Sequence, residues 1–216
     1  MPPIVVEILL LLVSYLLGSI PNALIISKLC KGIDIREHGS KNMGATNVLR
    51  VLGFKYGLIV FLLDALKAGL IIALFQLGIF DKEIYGNIHP LTYGLFAVIG
   101  HLFPIFAKFK GGKGVACSAG IICSYAPLIA IPTLLTFLIV VLITKYVSLG
   151  SILAVTASVI FSIIIPLLRY KSVDSIDWIL VAVCSIVLVI FIITHRNNIK
   201  RLIKGEESKI SLKNKK

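Results

Sequence analysis

Apolar runs as long as a bilayer is thick follow one another down this chain, separated by short polar stretches. A helix that crosses a membrane needs about twenty predominantly apolar residues. Residues 4–26 meet that length, with Gly18 and Pro21 predicting a bend inside the run. No positive n-region precedes the run and no small-residue cleavage site follows it, so it is expected to stay as the first span rather than to be removed as a signal peptide. Residues 57–79, 90–106, 152–168 and 178–194 read as further spans. The apolar stretch from Val115 to Thr144 is divided into a fourth and a fifth span, 115–131 and 133–144, turning near Tyr125 to Pro132. Composition agrees: 58% of the residues are hydrophobic and the mean hydropathy is +1.01, against about 45–50% apolar residues in a soluble domain. The expected architecture is all-α and polytopic, with seven transmembrane helices, as one membrane domain over 1–204 and a basic tail over 205–216.

Seven spans place the loops after the first, third, fifth and seventh on one face. Eighteen Lys and Arg fall on that face, fourteen if the tail is counted only to Lys204. Lys82, Arg169 and Lys171 fall on the other. The excess predicts a cytoplasmic face there and an N-terminus outside. The net charge of +12 is therefore assigned to loops facing anionic lipid and to anionic substrates, not to nucleic acid.

Four polar stretches share that face. The first, over 27–56, holds Gly-Ser-Lys-Asn-Met-Gly-Ala-Thr-Asn-Val-Leu-Arg at 39–50. Gly39 and Gly44 let the backbone turn and approach a ligand. Ser40, Asn42, Thr46 and Asn47 offer polar donors, and Lys41 and Arg50 offer charge. Such a set suits a phosphate. Alone it also fits a solvated basic loop, but Lys-Phe-Lys-Gly-Gly-Lys-Gly at 108–114 is a second cationic glycine loop. Two of them on one face suggest two phosphates, or one gripped from both sides. The third stretch, 145–151, carries Ser148 and Ser151, which could equally be small packing residues. The fourth is His-Arg-Asn-Asn at 195–198. His195 could complement a helix C-terminus, steer an anion or pass a proton, and His101 could cap its helix.

Several chemistries are excluded. There is no Walker A loop. No His stands five residues before an Asp, so the His-x-x-x-x-Asp acyltransferase box is missing, and no Ser-His-Asp triad can be argued. Cys30, Cys117, Cys123 and Cys184 show no metal-ligand spacing and read as small apolar residues. Asp64 and Lys67 lie three apart within the second span and are expected to form a structural ion pair. A transporter would suit the cationic loops, but it would show more polar or broken segments at the midplane. A purely structural scaffold leaves the glycine-lysine loops without a purpose.

The motifs resemble a known family. The run 39–50 resembles the first signature of the bacterial membrane acyl-phosphate:glycerol-3-phosphate acyltransferases, the PlsY type. Gly-His-Leu-Phe-Pro at 100–104, continuing through 109–116, resembles the second, and 146–151 the third polar break. His195 to Ile199, with Arg201-Leu202 and Gly205-Glu206-Glu207, resembles the C-terminal signature. Departures are Lys41 where Gly is frequent, Cys117 where Thr is usual, Gly150 for Ala and Asn197 for Glu. None removes an essential group.

The resemblance implies acyl transfer from acyl phosphate to the sn-1 hydroxyl of glycerol 3-phosphate, at the membrane of a bacterium, without acyl-CoA, acyl carrier protein, metal or other cofactor. An activated donor needs positioning and charge stabilisation more than a protein nucleophile. Direct attack without an acyl-enzyme is therefore expected. Ser40, Asn42, Thr46 and Asn47 would cradle the acyl-phosphate head. Arg50 and Lys113 would hold phosphate charge, and Ser151, His195 and Asn198 would orient the attacking hydroxyl. Gly44, His101, Gly111, Gly112, Ser148 and Glu207 complete the expected substrate-binding set, although Glu207 could instead neutralise the tail. A monomer in membrane lipid would suffice.

Overall fold

The computed structural model describes residues 2–81 and 86–210. Lys82 of the expected 81–87 loop, and Lys213, Lys215 and Lys216 of the tail, lie outside the described residues. Among those described, all regular structure is helical, as the apolar runs require. Contacts gather the described residues into two units, those up to Tyr125 and those from Ala126 on.

The first unit opens with a broken span. Helix α1 (Pro3–Gly18) stops at Ser19 and α2 (Asn22–Lys31) resumes after Pro21. Pro21 has no N–H to give and its ring crowds the preceding turn, so the bend falls where the sequence places it. A polar connection then leads to α3 (Ala45–Leu52) and α4 (Phe54–Gln76). After α4 come α5 (Pro90–Leu102) and α6 (Val115–Tyr125). Helix α1 packs on α5, and α4 packs on α6. In lipid, apolar burial drives little association, and close backbone approach by small residues takes over. Gly18 lies against the Ala97 backbone, and Gly120 against Ala65, so closely that a Cβ at either would overlap the facing main chain.

The second unit consists of α7 (Pro127–Thr144), α8 (Val147–Tyr170), α9 (Trp178–Thr194) and α10 (Arg196–Ile203). Helix α7 packs along α8 across the two-residue turn Lys145–Tyr146, and α8 packs on α9. Hydroxyls within these helices donate to their own preceding turns: Thr133 to Ile129 O at 2.8 Å, Thr156 to Ile152 O at 2.9 Å and Ser185 to Val181 O at 2.8 Å. That keeps polar atoms satisfied without water.

Two expectations change, and a third is left unconfirmed. The 27–56 stretch is not one loop: α2 continues to Lys31, α3 takes up Ala45–Leu52 and α4 begins at Phe54. Polar residues there line one side of an amphipathic helix whose Val48 is fully buried. The 145–151 break shrinks to Lys145 and Tyr146, with Ser148, Gly150 and Ser151 inside α8. Helix lengths do not by themselves confirm the count of seven spans. Among the described residues, five helical segments are long and apolar enough to cross a membrane, or six if α9 and α10, bent by 64°, form one. Helix α6, the start of the expected fourth span, has 11 residues, roughly 16 Å against a core of about 30 Å. The division expected near Tyr125 to Pro132 falls at Ala126. The assignment of loops to faces rests on seven crossings, which helix lengths do not reproduce.

Candidate active site

In the first unit, the loop before α3 is built around Asn47. Its Oδ1 accepts the Ser40 N–H at 2.8 Å. Its Nδ2 reaches the carbonyls of Ile35, His38 and Asn42 at 3.2, 3.0 and 3.0 Å. With 1% of its surface exposed, Asn47 spends both ends of its amide on the backbone of its own loop. Ile35, Met43 and Val48 anchor the same segment in a buried apolar cluster with Ala23, Leu24, Val60 and Ala107. Lys41 stands where Gly is frequent in the signature it resembles, and it takes φ 58°, in the left-handed region. Asp34 and Arg36 pair at 2.6 Å at the loop entrance. The Arg36 side-chain hydrogen bond holds the Asp34 carboxyl at about 2. Gly44 caps α3 without a side chain, so Ser40, Asn42 and Thr46 are arrayed around a helix N-terminus, with Arg50 one turn further on. Backbone N–H groups, a positive helix end and a guanidinium together suit an anion.

The second glycine loop lies against the end of α5. Lys108 and Phe109 take φ 56° and 58°, and Phe109 N donates to Pro104 O at 2.9 Å. Gly112 N donates to His101 O at 3.1 Å. A Cβ at Gly111 would overlap the His101 and Leu102 carbonyls, and one at Gly112 would overlap the His101 ring. These glycines are therefore small because His101 is their neighbour. Lys113 follows directly.

His101 was expected to bind substrate. It is buried, with its Nδ1 3.7 Å from Asp64 Oδ1. The same Asp64 oxygen accepts Asn22 Nδ2 at 2.9 Å and pairs with Lys67 Nζ at 2.7 Å. Lys67 Nζ donates to Ile20 O, in the break between α1 and α2, at 2.8 Å. The expected ion pair is thus present, and it ties α4 to the broken first span. A small cavity is bordered by Asn22, Met43, Asp64, Lys67, His101 and Gly112. The sequence reading missed Asn22. Its signal was a polar side chain directly after a proline inside an apolar run.

In the second unit, Glu207 gathers the C-terminal residues. Its Oε1 accepts Ser148 Oγ at 2.9 Å and Asn198 Nδ2 at 2.7 Å. Its Oε2 accepts Arg201 Nε at 2.7 Å. Burial raises the Glu207 carboxyl, but hydrogen bonds from Asn198, Arg201 and Ser148 outweigh it and hold the group below its ordinary value. Ile210 N donates to Lys145 O at 2.8 Å and closes the segment onto the start of α8. His195 sits at the bend between α9 and α10, its Nδ1 3.0 Å from Phe191 O. Donation from Nδ1 to that carbonyl makes Nε2 the basic nitrogen. Ser151 Oγ donates to Val147 O at 2.9 Å. Among the described residues, no three His, Cys, Asp or Glu side chains gather as a metal site.

The family described as Glycerol-3-phosphate acyltransferase matches residues 8–205. A glycerol-3-phosphate acyltransferase of Bacillus subtilis (strain 168) is 47% identical over 202 residues, covering 94% of this chain and 96% of that protein. One of Listeria monocytogenes serovar 1/2a is 45% identical over 206 residues, with the same coverage of each. Among solved structures, PlsY, an integral membrane glycerol 3-phosphate acyltransferase, in its glycerol 3-phosphate form superposes with a TM-score of 0.81 at 37% identity, covering 95% of this chain and 96% of that one. Its lysophosphatidic acid form gives 0.79 at 36% identity, with the same coverage. Matched over nearly its whole length by the family, by relatives and by solved integral membrane structures, the chain belongs to the glycerol-3-phosphate acyltransferase family.

Proposed function

We propose that this glycerol-3-phosphate acyltransferase takes its acyl group from an acyl phosphate and delivers it to the sn-1 hydroxyl of glycerol 3-phosphate. The products are lysophosphatidic acid and inorganic phosphate. The observation that carries the reading is the match to PlsY structures in a glycerol 3-phosphate form and a lysophosphatidic acid form, one the acceptor and one the product. The donor is argued from this chain's own loops. Two cationic glycine loops suit a reaction in which both substrates carry phosphate.

The hydroxyl oxygen attacks the acyl carbonyl, the carbon–oxygen bond to phosphate breaks, and the hydroxyl proton passes to the departing phosphate. No acyl-enzyme intervenes, because the mixed anhydride is already activated. Ser40, Asn42, Gly44 and Thr46 receive the acyl-phosphate head at the start of α3. Arg50 and Lys113 hold the phosphate of glycerol 3-phosphate. Ser151, His195 and Asn198 orient the hydroxyl. Asn47 and Glu207 act one step back, the first holding its loop and the second holding Ser148 and Asn198. Given the seven crossings that the apolar runs suggest, the Lys and Arg distribution supports a cytoplasmic face for the glycine loops and an outside N-terminus.

The test is phosphate release from palmitoyl phosphate by purified protein in detergent, with and without glycerol 3-phosphate, beside palmitoyl-CoA as a rival donor. Release that requires glycerol 3-phosphate, with lysophosphatidic acid formed in equal amount, is expected. Product from palmitoyl-CoA but not from palmitoyl phosphate would overturn the donor. Stable acyl-protein formed from labelled acyl phosphate alone would overturn direct attack.

A further inference from the structure

We infer that Asp64 is a positioning residue for acyl transfer, acting through His101 on the turn that carries Lys113. The inference rests on the reading above that Lys113 holds a substrate phosphate. Asp64 lies in the middle of α4, on a different element from either glycine loop, and no signature motif contains it.

The chain of contact is short. One Asp64 oxygen collects three polar groups: Asn22 Nδ2, Lys67 Nζ and, more distantly, His101 Nδ1. Asn22 and Lys67 fix that carboxylate to the break in the first span, since Lys67 also donates to Ile20 O. The carboxylate is thereby a fixed point, and the imidazole beside it has one preferred place. On its other side the imidazole meets Gly112, so closely that a methyl group there would overlap the ring. The His101 carbonyl receives Gly112 N, and the His101 and Leu102 carbonyls leave no room for a Cβ at Gly111. Ring and carbonyl of one residue thus set the path of the backbone that enters Lys113. A packed contact of this kind passes on displacement, because neither the ring nor the glycine backbone can yield without moving the other.

The alternative role for Asp64 is purely structural: a neutralising partner for Lys67 whose loss loosens the bundle. The two roles differ in coupling. A residue that works only through Lys113 has nothing left to lose once Lys113 is gone, whereas a general loss of integrity adds to any other loss.

The experiment is a double-mutant cycle in the full-length purified protein, with Asp64→Asn, Lys113→Ala and the pair, reading kcat and the KM for glycerol 3-phosphate separately. Displacement of a substrate-holding group by about 1 Å is expected to cost Asp64→Asn roughly 10- to 100-fold in kcat/KM. Most of that should appear in KM, and the pair should be no worse than Lys113→Ala alone. Losses that multiply in the pair would overturn the inference. An active Lys113→Ala with unchanged kcat/KM would instead overturn the role of Lys113, a different failure with a different signature. Should Asp64→Asn not fold, Asp64→Asn with Lys67→Met leaves no unpaired charge and takes its place in the cycle. Gly112→Ala gives a second cycle that displaces the same turn without touching the ion pair. Additive losses in either cycle overturn the inference, and non-additivity in both supports it.

Discussion

Asn47 closes the loop that leads into its own helix: its Oδ1 accepts the Ser40 N–H at 2.8 Å, seven residues back. On the other side of the amide, three main-chain carbonyls converge on Nδ2. Asn47→Ala leaves these groups without their partner, at an expected cost of about 1–3 kcal/mol. Asn47→Asp should be worse, since a carboxylate would face carbonyl oxygens. Thermal unfolding in detergent measures both. An Asp variant as stable as the parent would contradict the geometry.

Lys41 pays for its conformation without any visible return in packing. Its side chain is exposed and its φ is 58°, a region that costs a non-glycine residue roughly 1–2 kcal/mol. Glycine relieves that cost and gives part of it back in the entropy of the unfolded chain. Lys41→Gly is expected to raise the unfolding midpoint slightly. If Lys41 also touches phosphate, the KM for one substrate will rise at the same time. A lower midpoint would show that the lysine makes a stabilising contact.

Lys113→Ala tests the phosphate role most directly. Removal of a cation from a desolvated phosphate is expected to cost ~2–5 kcal/mol of transition-state stabilisation. Steady-state kcat/KM in folded protein reads the loss, and an unchanged value removes Lys113 from the site.

Glu207 predicts a pH dependence of known sign. Its carboxyl is held below the ordinary value of 4.5 in the folded protein. The stability it contributes is therefore full above the unfolded carboxylate value and is lost as pH falls through the folded one. The parent should unfold at a higher temperature than Glu207→Gln at pH 7, and the gap should narrow on acidification below 4.5. Asp34, at about 2, loses its own contribution further down, equally in both proteins. A gap that widens with acid would reverse the assignment.

Much of this molecule is legible in its sequence because membrane spans announce themselves by length. The bend at Gly18 and Pro21, the pairing of Asp64 with Lys67 and the order of the polar motifs all follow from local pattern. Two kinds of feature do not. Polar residues were read as loop where they belong to helices, as in α3 and at the start of α8. The reason is that serine and asparagine within a helix find partners on their own turn or on a distant carboxylate, as Ser151 and Ser148 do. Contacts far apart in the chain are the other kind. Gly111 and Gly112 signal tight backbone approach, but only the fold shows that His101 is what they approach. Glu207 likewise looks like one acid in a basic tail until Ser148, 59 residues away, is found on it.

Asp64 and Lys67 stand one turn apart on the same helix and touch at 2.7 Å. A lone charge costs about 2.5–3.5 kcal/mol when a helix is inserted into a bilayer. Because each carries its counter-charge along, α4 can enter the membrane already neutralised, during synthesis, before it has met any neighbour. The first span, made earlier, then supplies Ile20 and Asn22, and the next, made later, supplies His101. One pair of side chains so can serve two moments in the life of the protein: as a passport during its biogenesis, and afterwards as the mooring for the span before it and the helix after it.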